Sequence, residues 1–198
     1  MGTVPLEHIE HPESWTQPSR GYVAMSCLIV AESAIFTIFV TAYLYYLGRD
    51  IGGPTPREVL ELPIFATVCL LSSSFFIYLA EHAITHGRMG AFKLWWTVTI
   101  VLGLIFIVGT GMEWDKLITH DHLTIATNLF GTTYYSLVGL HASHVVIGLT
   151  MLLITLVFAL MGKLNVTHAE RVKVLALYWH FVDAVWVVVF TVVYIVGR

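Results

Sequence analysis

The sequence predicts an all-α fold, a polytopic membrane bundle with five transmembrane helices. Composition is the first observation: of 198 residues, 57% are hydrophobic and only 12% are charged. An ordinary soluble domain is roughly 45–50% apolar and about 25% charged. Mean hydropathy is +0.79. The second observation is that the apolar residues gather into five runs, 22–47, 62–84, 93–114, 127–161 and 172–197. Each meets the requirement of about 20 residues to cross a hydrocarbon core of about 30 Å. The third is the lack of the two-residue alternation that a membrane barrel strand carries. Helices then remain as the form that satisfies every backbone N–H and C=O within its own segment in lipid.

The organisation expected is a polar segment over residues 1–20 followed by a five-helix domain over 21–198. The first run starts after Pro18, Ser19 and Arg20 and ends near Gly48, before the breaker-rich Ile51-Gly52-Gly53-Pro54-Thr55-Pro56. Tyr43, Tyr45 and Tyr46 at its end read as an aromatic belt at headgroup depth. In the second run, Pro63 is expected within the first turn, where its missing N–H costs little. Ser72-Ser73-Ser74 are small enough to let neighbouring helices approach, and Gly87 is expected to cap the helix. Trp95 and Trp96 open the third run and Trp114 lies near its end, again read as a belt. The fourth run would reach roughly 50 Å at about 1.5 Å per residue, more than a bilayer core requires. It must tilt, bend or project into water, and Gly131, Gly139 and Gly148 are places to bend. The last run begins after Glu170-Arg171-Val172-Lys173.

Several function classes are excluded at this stage. The net charge of -3 leaves no basic patch of the kind nucleic acid demands. Cys27 and Cys69 stand alone in different runs and read as small packing residues, not as a disulfide or metal pair. The polar first twenty residues, with Glu7, His8, Glu10, His11 and Glu13, do not resemble a cleaved signal peptide. No phosphate-cradling glycine loop or nucleophile elbow occurs, and the Asn165-Val166-Thr167 sequon falls in a loop expected inside. Orientation follows from the basic residues. With the N-terminus inside, Arg20, Arg88, Lys93, Lys163, Arg171 and Lys173 are inner, and Arg49, Arg57, Lys116 and Arg198 are outer. The expected topology is a cytoplasmic N-terminus and an external C-terminus.

Ionisable groups within the runs carry most information, since each costs about 2.5–3.5 kcal/mol to insert and must find a partner. Glu32 lies ten residues into the first run, among Leu28-Ile29-Val30-Ala31 and Ala34-Ile35-Phe36. Two readings stand open for it: a proton-active or lipid-contacting carboxylate, or a neutral carboxyl bonded to a neighbouring helix. His141 and His144 are three apart on the fourth helix, and His180 and Asp183 repeat that spacing on the fifth. For these four, interhelical hydrogen bonding is the simpler reading. Glu81, His82, His86 and Glu113 lie close to the membrane surfaces. His82 with His86, His120 with His122, and His141 with His144 invite a histidine-box reading, either di-iron or bis-histidine haem. Topology puts the first two pairs on opposite faces, so no metal centre is expected.

A resemblance adds to these readings. Phe130-Gly131-Thr132-Thr133-Tyr134-Tyr135 and Gly139-Leu140-His141-Ala142-Ser143-His144-Val145-Val146-Ile147-Gly148 are similar to the penultimate helix of cytochrome c oxidase subunit III. Tyr178-Trp179-His180-Phe181-Val182-Asp183-Ala184-Val185-Trp186 resembles the start of its final helix. Gly111-Met112-Glu113-Trp114, Glu81-His82-Ala83 with Gly87, and Ala31-Glu32-Ser33-Ala34-Ile35-Phe36 resemble further family segments, the last holding its carbodiimide-reactive glutamate. The likeness covers about residues 20–198. Where the mitochondrial type has seven spans, this chain resembles the five-helix form of bacterial cytochrome c and quinol oxidases.

The resemblance implies a non-catalytic subunit of a haem–copper oxidase in the bacterial plasma membrane, packed directly against subunit I. Subunit II, other respiratory-chain subunits and membrane lipids would be its further partners. In the family this subunit holds phospholipid and sustains proton uptake and stability in turnover. Haems and copper would lie in the partner subunits and none in this chain. Glu32, His141, His144, His180 and Asp183 would form a buried polar set between helices, with no catalytic or metal-ligating residue. An auxiliary subunit of nitric oxide reductase and a stand-alone histidine-ligated redox enzyme remain as alternatives.

Overall fold

The five apolar runs become five long helices in a computed structural model that describes residues 19–49 and 52–197. They are α1 (Arg20–Tyr46), α3 (Ile64–Thr85), α4 (Met89–Thr119), α5 (Leu129–Leu160) and α6 (Ala169–Phe190), with a one-turn α2 (Pro56–Val59) between the first two. A 3-10 turn over Val166–His168 leads into α6, and a π-helical turn over Thr191–Val196 continues it. No strand occurs among the described residues. All five long helices are apolar enough to cross a membrane. Of the polar segment expected over 1–20, all but Ser19 and Arg20 lies outside the described residues.

Local chemistry sets the helix ends. Ser19 accepts from the Tyr22 N–H at the start of α1, and Asn128 accepts from the Gly131 N–H at the start of α5. Gly87 (φ 72°) and Gly162 (φ 71°) close α3 and α5 in the left-handed conformation that glycine adopts without steric cost. Behind each, the 6→1 bond of a Schellman motif forms, from Arg88 N–H to Ala83 O and from Lys163 N–H to Phe158 O. Pro63 is the N-cap residue of α3, one position before the first turn. At α2, the Thr55 N–H donates to Glu58 at 2.9 Å, which holds that exposed carboxyl below its usual range. This cap is present above the ordinary carboxylate range and is lost as pH falls through the lowered value.

Helices α3, α4, α5 and α6 close into a ring in which each packs on two neighbours. Helix α1 lies outside the ring, against the groove between α5 and α6. Only 6% of its apolar stretch is buried within the chain, against 33–44% for the other four. Its hydroxyls are satisfied internally: Ser26, Ser33, Thr37 and Thr41 each donate to the carbonyl four residues earlier. The ends of the bundle differ. The start of α1 and the α3–α4 and α5–α6 turns share one end, termed here the N-terminal end. The α4–α5 loop, α2 and the end of α6 share the other.

The ring is filled by tryptophan. Trp179 of α6 is fully buried, and its indole N–H donates to Ser73 Oγ of α3 at 2.8 Å. Its six-membered ring fits against Gly103 of α4 and Gly148 of α5, where an added methyl would lie 2.8 and 2.9 Å from it. Trp96 of α4 donates to the Leu152 carbonyl of α5 at 2.9 Å, and Trp186 of α6 donates to Thr67 of α3 at 3.2 Å. These three indoles thus keep their one polar atom paired.

Several expectations are corrected. Trp96 and Tyr43 are buried in the core, not placed in a belt, whereas Tyr45 and Tyr46 are exposed. Cys69 is buried but Cys27 is exposed on α1. The long fourth helix runs unbroken through all three of its glycines. Gly148 serves close packing on Trp179, Gly139 faces Trp114, and at Gly131 a side chain would collide with the Thr124 carbonyl. Length and glycine content alone do not distinguish a bend from a close contact.

Adding a methyl at Gly103 or Gly148 should therefore lower the thermal stability of the detergent-solubilised protein by about 1–3 kcal/mol, as overpacking does. Gly139→Ala, with 3.5 Å to Trp114, should be close to neutral, and equal melting shifts for all three variants would refute the assignment.

Candidate functional site

The buried polar residues fall in distinct places along the bundle. The first is the contact of α1 with α5. Glu32 Oε2 lies 3.1 Å from His144 Nε2. The other ring nitrogen, Nδ1, is 2.8 Å from the Leu140 carbonyl. A carbonyl only accepts, so Nδ1 carries a proton and Nε2 faces Glu32. The two side chains thus meet as a hydrogen-bonded pair across the α1–α5 contact. Phe36 packs on the His144 ring at 5.0 Å between centroids and screens the contact on α1. The Glu32 side chain is 23% exposed, so the pair sits at the edge of the bundle and not in its centre.

The second place joins α3 to α6. Ser74 Oγ donates to Asp183 Oδ2 and lies 3.0 Å from His180 Nδ1. With its single proton given to the carboxylate, the hydroxyl accepts from the His180 N–H. Asp183 is 3% exposed, and its second oxygen has no hydrogen-bond partner among the described residues. His180 also lines a crevice of about 430 Å³ at the N-terminal end, with Ser19, Tyr22, Glu81, Glu170 and Lys173. The Ser74 contact therefore lies one side chain away from a polar, open pocket.

His141 belongs to neither contact. It is fully buried, stacks on Trp186 at 5.0 Å and meets Phe106 edge-on at 5.8 Å. Neither ring nitrogen has a hydrogen-bond partner among the described residues. Its spacing from His144 puts both on one helix face, yet one is a polar contact and the other packs as an aromatic ring.

A further cluster at the opposite end is built on Glu113 of α4. Tyr194 and Tyr134 both donate to Glu113 Oε1, at 2.8 and 3.2 Å. Tyr194 lies in the π-helical turn and is buried there beside Val193.

This arrangement of α5 and α6 is carried by the segments that match known proteins. The family model described as cytochrome c oxidase subunit III matches residues 22–198. The chain belongs to the cytochrome c oxidase subunit III family. It is 33% identical over 190 residues to cytochrome c oxidase subunit 3 of Alkalihalophilus pseudofirmus, covering 94% of this chain and 92% of that one. The same protein of Bacillus subtilis is also 33% identical over 190 residues, covering 94% and 91%. A probable quinol oxidase subunit 3 of Staphylococcus saprophyticus is 29% identical over 172 residues, with 85% of each chain covered. Membership makes the chain a multi-pass membrane subunit of a haem–copper oxidase.

Within the family frame, Ser74, Tyr134 and Tyr194 are the functional-site neighbours that sequence reasoning missed. Ser74 was legible only as one of three small serines. The tyrosines looked like ordinary membrane aromatics, because the π turn that aims Tyr194 at Glu113 has no sequence signature. Among the described residues no group of three or more His, Cys, Asp or Glu side chains is placed to hold a metal ion.

Ser74→Ala should destabilise the protein by about 1–3 kcal/mol, the cost of leaving a buried polar group unpaired. His141→Phe should leave the melting temperature unchanged or raise it, because no hydrogen bond is lost. A clear fall in the melting temperature of that variant would show that the imidazole nitrogens are in use.

Proposed function

We propose that the chain is an accessory, non-catalytic subunit that packs through α1 against the haem- and copper-bearing subunit I of its oxidase. Subunit II and further respiratory-chain subunits complete the assembly. It retains phospholipid, supports proton uptake and preserves subunit I during oxygen reduction. The observation that carries this reading is the flank of α1, which the described residues leave uncovered. Val30 and Ile38 are 71% and 67% exposed there, while the helix is held to the ring through Glu32 and His144. Such a surface, with its serine and threonine hydroxyls bonded within the helix, suits close packing on another membrane helix.

Two further features support the reading. A groove of about 380 Å³ between α5 and α6 has an apolar floor of Ile154, Phe158, Leu164 and Leu175 and a rim of Lys163, His168 and Arg171. Acyl chains and an anionic headgroup match that division of chemistry. The crevice lined by Glu81, Glu170, Lys173 and His180 gathers titratable groups at the same end and suits local proton exchange with water. That end carries Arg20, Arg88, Lys93, Lys163, Arg171 and Lys173. The excess of positive charge favours the cytoplasmic side of the plasma membrane for the N-terminal end and the outside for the C-terminus.

Purification through a tag on this chain, with a visible spectrum and an oxygen-uptake assay, tests the assignment. Val30→Trp and Ile38→Trp keep α1 apolar but obstruct close approach. They should cut recovery of the haem-bearing partner about tenfold, equivalent to about 1.4 kcal/mol of binding. Undiminished recovery would mean that α1 is not the docking helix. Glu32→Ala should leave the initial rate of oxygen uptake largely intact and shorten the working life of the enzyme in sustained turnover. An unchanged working life would remove any functional role for that carboxyl.

A further inference from the structure

His82 and His86 are left over from all of the contacts above. They occupy the last turn of α3 and its C-cap, and both are exposed. As a histidine box with His120 and His122 they make no sense, since those two lie beyond the end of α4 at the other end of the bundle. Taken as a pair, they are placed for a different purpose. The four-residue spacing puts both on one helix face, and their ring centroids are 4.2 Å apart at an interplanar angle of 41°. His86 Nδ1 lies 2.8 Å from the His82 carbonyl. That oxygen can only accept, so Nδ1 bears the proton and Nε2 keeps its lone pair free.

This is the orientation found in metal-bound histidines, whose second ring nitrogen is fixed by donation to a backbone carbonyl or carboxylate. The helix end beneath the pair is itself fixed. Gly87 closes it with a Schellman motif, and α3 is held in the ring on either side. Two ligands on one rigid turn bind as a chelate, because once the first is engaged the second has little freedom left to lose.

We propose that His82 and His86 form a two-point binding site for a divalent transition-metal ion, of the class that imidazole nitrogen prefers, such as Cu²⁺ or Zn²⁺. The remaining coordination positions are left to water or to a donor brought by another molecule. That makes the site exchangeable, unlike a four-ligand structural centre. Bound metal clips His82, in the last turn of α3, to its C-cap residue and reinforces the α3–α4 turn.

The test uses the purified oxidase complex with Cu²⁺ or Zn²⁺ as the probe, and compares the wild type with His82→Gln, His86→Gln and the double variant. Copper titration is followed by calorimetry and by the nitrogen hyperfine pattern in electron paramagnetic resonance. The wild type should bind one equivalent more tightly than either single variant by roughly a hundredfold, and the double variant, with neither imidazole, should bind more weakly still. Zn²⁺ should compete for that equivalent and raise the melting temperature of the wild type more than that of the variants. Equal stoichiometry, affinity and melting shift in all four proteins would overturn the proposal. A variant that fails to assemble does not stop the test, because the other single variant removes the chelate equally well.

Discussion

The ring of four helices depends on one side chain that touches three neighbours. Trp179 leaves α6, gives its N–H to Ser73 of α3, and lays its ring against Gly103 of α4 and Gly148 of α5. In lipid the helices gain nothing from hiding apolar surface from one another, so shape and hydrogen bonding must hold them. A tryptophan paired with two glycines supplies both. The glycines remove the side chains that would hold the helices apart, and the indole fills the space this opens. Trp96 and Trp186 repeat the hydrogen-bonding half of the device, donating to Leu152 and Thr67.

The polar contacts are arranged around that packed centre and not within it. Glu32 and His144 fasten α1 at the edge, Ser74 ties Asp183 and His180 between α3 and α6, and Tyr134 and Tyr194 hold Glu113 at the far end. Each joins different helices, so the three together fix the relative heights of α1, α3, α4, α5 and α6. His141 shows the other use of the same residue type, as a flat ring stacked on Trp186. Spacing along a helix puts a residue on a face, and only the opposing helix decides whether its nitrogen atoms are used.

The fold was legible in the sequence because membrane spans announce themselves by length and apolarity, and the breaker-rich segments between them are equally plain. Gly87 could be read as a cap because its chemistry is local. What escaped was set by distant partners. Trp96 and Trp186 are both tryptophans near or within apolar runs, and Trp96 looked like a belt residue until Leu152 was seen to accept its proton. The family resemblance was carried by the segments around His141, His144 and His180, yet it gave no means of dividing them between contacts. Tyr194 could not be assigned at all, since a single extra residue in a turn rotates it onto Glu113.

Helix α1 is synthesised before α5 and α6, yet these are the helices on which it rests. It must therefore stay alone in the bilayer while more than a hundred residues emerge. Its internally bonded hydroxyls make this waiting state inexpensive, and a single carboxyl, Glu32, remains without its partner until His144 arrives. The chain thus carries its own assembly clock: the hydrogen bond that ties Glu32 of α1 to its neighbour forms only after α5 has entered the membrane.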